Sequence, residues 1–232
     1  MALKLYTSEV CPYAQRTRIV LAEKNIAHDC VEIDINDKPE WFAKLTPAGR
    51  VPVIDHDGFV LWESATVNEY LDAAFDGPTL MPATEREKAV LRNEIRHFDT
   101  NFLVDFYKLL FTQDSAGQHE MRDVVDRAFG FLELRLRAIS ANGPFWMGPI
   151  VTLADCAMFP FFERLEVFEH YRGLTLPAEC VRLRQWFEAV TQRPAFRSSM
   201  HDLDYFIPQY AAYANDAGQG LSAQAFRSGR VN

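Results

Sequence analysis

Residues 3–24 read LKLYTSEVCPYAQRTRIVLAEK. Leu3 to Tyr6 form a short apolar strand, TSEVCP breaks the pattern, and Tyr13 to Lys24 carry Ile19, Val20 and Leu21 as an amphipathic helix. Residues 30–34, CVEID, alternate as a second strand, after which Asn36-Asp37-Lys38-Pro39 opens a short helix through Glu40, Trp41 and Phe42. RVPVID at 50–55 and FVLW at 59–62 flank His56-Asp57-Gly58, and an Asp-Gly pair between two strands predicts a hairpin. Ser64 stands where an N-cap belongs, ahead of a helix with Val67, Tyr70, Leu71 and Phe75 at three- and four-residue spacing. The order predicts a four-stranded mixed sheet sandwiched by helices.

Beyond Gly77, Pro78 and Pro82 the strand signals nearly vanish. Leu91, Ile95, Phe98, Phe102, Phe106 and Leu109 lie on one face of a long helix, and a second runs from about His119 to Ile139. Thr152 and Asp155 have the spacing of a capping box, and the helix CAMFPFFERLEVF that follows should kink at Pro160. Further helices are expected at 180–191 and 203–214. The 232 residues divide into a sheet domain at 1–76, a linker at 77–86, an all-helical domain at 87–215, and a tail at 216–232, rich in Gly, Ser, Ala and Gln, that should be poorly ordered.

A net charge of −8 without a cluster of Lys and Arg disfavours nucleic acid as a partner. No apolar run approaches the roughly 20 residues of a membrane-spanning helix, and the N-terminus reads as a strand, so a cytoplasmic protein is expected. GxGxxG, Walker and HExxH motifs are absent, and the six histidines are scattered, so no metal site is expected. The cysteines at 11, 30, 156 and 180 lack dithiol or zinc spacing. Cys30 and Cys156 read as small buried hydrophobes, and Cys180 has no assigned role.

Cys11 differs in its setting. It falls between the first strand and the first helix, with Pro12 in the first turn, where unpaired N–H groups favour a thiolate and should lower its pKa. Glu9, two residues earlier, would oppose this if it turned toward the sulfur. Ala14 stands where a dithiol enzyme has its resolving cysteine, so a mixed disulfide at Cys11 must be resolved by a thiol from solution.

The segments CPYAQRTRIVLAEKNIAH at 11–28, KPEWF at 38–42, RVPV at 50–53, WES at 62–64 and TLADCAMFPFFERLE at 152–166 together resemble the omega class of cytosolic glutathione transferases. The likeness implies an α/β thioredoxin-like N-terminal domain, an all-α C-terminal domain, a homodimer, and glutathione as co-substrate. It implies that Cys11, with Pro12 beside it, forms a mixed disulfide with glutathione. By the same likeness Lys38 pairs with the glycyl carboxylate, Val51 before a cis Pro52 meets the cysteinyl part, and Glu63 and Ser64 hold the γ-glutamyl end. A small electrophilic, disulfide or oxidised second substrate is expected against Val10, Phe206 and Tyr210. A tryptophan expected nearby is replaced by Leu203 or Asp204. The implied chemistry is thiol-disulfide exchange, deglutathionylation and dehydroascorbate-type reduction, with weak conjugation. IVLAEK at 19–24, LWES at 61–64, EYLD at 69–72 and LMP at 80–82 also resemble the stringent starvation proteins, and so offer a non-enzymatic alternative that associates with RNA polymerase.

Overall fold

The computed structural model describes residues 2–140, 142–218 and 224. Strands β1 (Leu3–Thr7), β2 (Asp29–Glu32), β3 (Val53–His56) and β4 (Phe59–Trp62) form one mixed sheet in the order β2-β1-β3-β4. β1 and β2 run parallel, joined through α1 (Pro12–Glu23), while β1–β3 and β3–β4 are antiparallel. The β3–β4 hairpin turns at Asp57 (φ 52°) and Gly58 (φ 90°), the double positive φ that an Asp-Gly pair tolerates. α2 (Glu40–Leu45) and α3 (Ser64–Ala74) complete this half.

Alternation along β1 sorts its side chains between two faces. Leu3 and Leu5 join the main core with Ile19, Val20, Val67 and Leu71 from α1 and α3. Tyr6 joins a smaller cluster with Ile33, Phe42, Val51 and Val53, which α2 covers. β2 is one of the two edge strands, and Cys30 on it is exposed rather than buried as its apolar neighbours suggested. An edge strand has a neighbour on one side alone, so the helical layer does not shelter it. Cys156 and Cys180 are buried.

The second half is helical: α4 (Glu85–His97), a π turn (Phe98–Phe102), α5 (Leu103–Phe111), α6 (Ser115–Ile139), α7 (Leu153–Glu163), α8 (Leu165–Arg172), α9 (Val181–Thr191), α10 (Pro194–Arg197) and α11 (Leu203–Ala214). The long apolar face from Leu91 to Leu109 is therefore broken by the π turn, where Leu103 N–H reaches back to the Phe98 carbonyl. Every residue of α7 is buried, so it is the central post of this domain. Phenylalanines pack around it, Phe162 lying 4.9 Å from Trp186 and Phe98 5.7 Å from Phe161.

The capping box at α7 forms as its spacing predicts, and Asp155 also accepts from Trp146 N–H at 2.7 Å and Trp186 Nε1 at 2.8 Å. The disruption expected at Pro160 falls four residues later. At Arg164 (φ −85°, ψ 3°) the helix breaks and α8 begins. The Pro160 carbonyl, which an unbroken helix would give to the Arg164 N–H, instead accepts from the Arg164 side chain. Most of the tail expected to be poorly ordered lies outside the described residues.

Candidate active site

Cys11 is the N-cap of α1 in extended conformation, its own N–H donating to the Ser8 carbonyl at 3.0 Å. Pro12 fills the first helical position, where its missing N–H costs nothing. The thiol faces the Val51 carbonyl at 4.0 Å, and the Val51–Pro52 peptide is cis, as the family likeness implied. The Val53↔Trp62 pairing of the hairpin then sets residues 51–52 opposite Glu63 and Ser64, so the sulfur and the N-terminus of α3 share one end of the sheet.

The acidity of Cys11 departs from the sequence expectation. Burial pushes the thiol up from its ordinary value, and this outweighs the N–H groups of Ala14 and Tyr13 and the charges of Arg164 and Arg18, all of which pull it down. The sequence placed the helix N-terminus correctly but could not show how tightly the sulfur is enclosed. Glu9 turns away from it, with Oε1 2.8 Å from His201 Nε2 and 3.5 Å from an Arg18 nitrogen.

Lys38 is half-buried and donates from Nζ to the Gly49 carbonyl at 2.9 Å. Burial lowers its pKa, and the like charge of Arg50 lowers it further. Glu63 rather than Ser64 is the N-cap of α3: its backbone sits at φ 71°, and its exposed side chain makes no capping hydrogen bond. Positive φ on a non-glycine residue is strained and tends to cluster at ligand sites. Ser64 is the first helical residue, buried, with Oγ accepting from Arg16 Nη1 at 3.4 Å. An exposed carboxylate and a helix N-terminus side by side suit the two ends of a zwitterion.

Phe206 and Tyr210 are both buried on α11, with ring centres 6.2 Å apart, and neither presents an open wall to a second substrate. Val10 is half-buried, and its carbonyl accepts from Arg164 Nη2 at 3.0 Å. Three polar side chains that sequence reasoning passed over lie between the domains: Gln15, Arg16 and Arg164 are all buried. Arg164 could have been noticed as a charge inside the apolar run FPFFERL, but Gln15 and Arg16 carry no local signal. Among the described residues no group of three or more His, Cys, Asp or Glu could hold a metal ion, and no helix is long and apolar enough to cross a membrane.

Residues 5–79 match the glutathione S-transferase N-terminal domain family, and residues 88–189 match the glutathione S-transferase C-terminal domain family. The chain is 32% identical to glutathione S-transferase omega-1 of Sus scrofa over 206 residues, covering 86% of this chain and 80% of the relative. It belongs to the glutathione transferases, as an omega-like member. This transferase is 30% identical to the omega-1 enzyme of Mus musculus, with 92% and 85% of the two chains covered. Among solved structures it resembles glutathione transferase Omega 3C of Trametes versicolor, with a TM-score of 0.83 at 26% identity, covering 95% of this chain and 93% of that one. The transferase therefore has the thioredoxin-like and all-helical domains that the sequence implied, and it is an enzyme with glutathione-dependent transferase activity.

Proposed function

We propose that this transferase is a glutathione-dependent thiol transferase and reductase working through a mixed disulfide at Cys11. The observation that carries the reading is the placement of Cys11 at the α1 N-terminus, facing the cis Val51–Pro52 loop, with Ala14 where a second thiol would stand. The Cys11 thiolate attacks the glutathione sulfur of a mixed disulfide, forming a bond from Cys11 to glutathione and releasing the other thiolate, which takes up a proton. The thiolate of a second glutathione then attacks the bound glutathione sulfur, releasing oxidised glutathione and restoring Cys11.

In this scheme Lys38 exchanges its Gly49 carbonyl for the glycyl carboxylate, Val51 pairs with the cysteinyl backbone, and Glu63 and Ser64 take the γ-glutamyl end. Small electrophiles, disulfides, glutathionylated thiols and oxidised compounds of the dehydroascorbate type are the expected second substrates, and conjugation to carbon is weak because a cysteine bonds to the glutathione sulfur rather than holding it as a free thiolate. Phe206 and Tyr210 are proposed to border the second substrate only after α11 shifts, and Val10 borders it from the sheet domain. A homodimer in the cytoplasm, without a metal, a membrane or nucleic acid as partner, completes the reading.

Incubation with oxidised glutathione should add one glutathionyl group at Cys11, lost on reduction, and Cys11→Ser should block it. Modification confined to the exposed Cys30 would remove the basis of the proposal.

A further inference from the structure

Arg164 stands at the break between α7 and α8 with 0% exposure. A guanidinium held there is costly unless its donors are met. Nη1 donates to Gln15 Oε1 at 2.7 Å, to Glu163 Oε2 at 3.2 Å and to the Pro160 carbonyl. Nη2 crosses into the sheet domain and donates to the Val10 carbonyl at 3.0 Å, in the peptide group immediately before Cys11. The guanidinium carbon lies 4.5 Å from the centre of the Phe206 ring, and Nε is buried without a hydrogen-bond partner. The helix break at Arg164 frees the Pro160 carbonyl to fix one arm while the other reaches the nucleophile's loop.

We propose that Arg164 is a positioning residue for Cys11, reaching from the helical domain to lock the Val10–Cys11 peptide and to place a permanent positive charge beside the thiol that favours its ionised form. The inference rests on the reading of Cys11 as the nucleophile.

The other charges around the sulfur do this less well. Arg18 on α1 is more exposed and directs its donors to Thr7 Oγ1 and the Ser8 and Glu9 carbonyls. Glu9 turns away from the sulfur, its carboxylate engaged by His201 and Arg18. Lys38 sits in the loop after β2 and Arg50 just before the cis peptide; both are partly or fully exposed and better screened by solvent. From α11 and α5, Tyr210, Tyr213 and Tyr107 all have hydroxyls raised by burial, so they stay neutral at physiological pH, as does Tyr13, which is pushed up to about 12. Glu163 offsets part of the Arg164 charge, but its oxygens also accept from Gln15 Nε2 at 2.6 Å and His201 N–H at 2.8 Å. A buried cation acts through low dielectric, and Arg164 pulls the thiol down more than Arg18 does. Thiol reactivity is thereby tied to the docking of the two domains.

The test is the pH dependence of Cys11 alkylation by iodoacetamide, followed by mass spectrometry of its peptide in the full-length protein. Arg164→Gln should raise the midpoint by about one unit or more, which is roughly tenfold less thiolate at neutral pH. Arg164→Lys, which keeps the charge without the two-armed fork, should recover at least half of that rise. Glu163→Gln should move the midpoint down by unmasking the Arg164 charge. A folded Arg164→Gln protein with the wild-type midpoint, or no recovery in Arg164→Lys, overturns the proposal. If Arg164→Gln does not fold, Glu163→Gln decides, and an unchanged or raised midpoint overturns it. Alkylation involves no glutathione, so loss of the glutathione adduct with a normal alkylation series would count against the proposed function and not against this role of Arg164.

Discussion

Arg16 grips Asp99 with both arms, Nη2 to Oδ1 at 2.6 Å and Nη1 to Oδ2 at 3.2 Å, tying α1 to the π turn of the helical domain. The same guanidinium, 1% exposed, donates to the Ala157 carbonyl at 2.7 Å and to Ser64 Oγ at 3.4 Å. Asp99→Asn leaves this buried charge without its counterion, so it should destabilise the protein by on the order of 2 kcal/mol, less than a fully buried pair because Asp99 is partly exposed. The loss would be read from urea unfolding. Glutathione should also bind more weakly, because Arg16 supports Ser64. Unchanged stability would show that the Ala157 and Ser64 contacts suffice to hold Arg16.

Cys11 in the free enzyme should react with iodoacetamide at a midpoint at or above the ordinary thiol value of about 8.5, because burial raises it more than its N–H neighbours lower it. Reaction of the free enzyme should therefore quicken steadily from neutral into alkaline pH. A midpoint below about 7 would mean that the helix terminus outweighs burial.

Lys38→Ala should raise the Michaelis constant for glutathione roughly tenfold, on the scale of about 1.5 kcal/mol for a charge-assisted hydrogen bond, with turnover little changed. The ammonium is already held at Gly49, so its stem is preorganised for a carboxylate. An unchanged constant would return Lys38 to a structural role at that loop.

Glu133 on α6 accepts from the N–H groups of Arg182 at 2.9 Å and Leu183 at 2.8 Å, and from Arg137 Nε at 2.6 Å, so it caps the start of α9. Burial works to raise its pKa, but these donors hold the carboxyl below the ordinary range. A depressed folded pKa stabilises the protein above the unfolded value near about 4.3 and is lost as pH falls through the folded value. Glu133→Gln should therefore cost about 1–2 kcal/mol at pH 7, with the difference from wild type shrinking in acid. Denaturant titrations at several pH values would check this. A cost independent of pH would mean that the charge contributes nothing.

The sheet half was legible because its signals are local: the Asp-Gly hairpin, the proline after Cys11 and the period-two alternation of β1 each determine structure within a few residues. The capping box at Thr152 was legible for the same reason. Features that depend on distant partners were not. The π turn at Phe98–Phe102 hides inside a spacing that an unbroken helix also satisfies, and α10, four residues long, carries too little periodicity to register. Cys30 looked buried because its neighbours are apolar, yet exposure depends on being an edge strand. The raised pKa of Cys11 comes from burial of the sulfur in the folded chain, which no local stretch of sequence displays and which outweighs the opposing charge of the distant Arg164, and Ser64 yielded the N-cap to Glu63 because the chain enters α3 at positive φ.

The uneven exposure of the four thiols gives the protein a built-in gauge of its own integrity. Cys11 is mostly buried and Cys30 open, while Cys156 and Cys180 are sealed in the helical core. A colorimetric thiol reagent added to the native chain counts the first two, with Cys11 lagging because it is the less accessible of the pair. The remaining two register only as the helical half opens. Their appearance therefore times that opening without any attached label, and Cys30→Ser would leave the native count to the nucleophile alone.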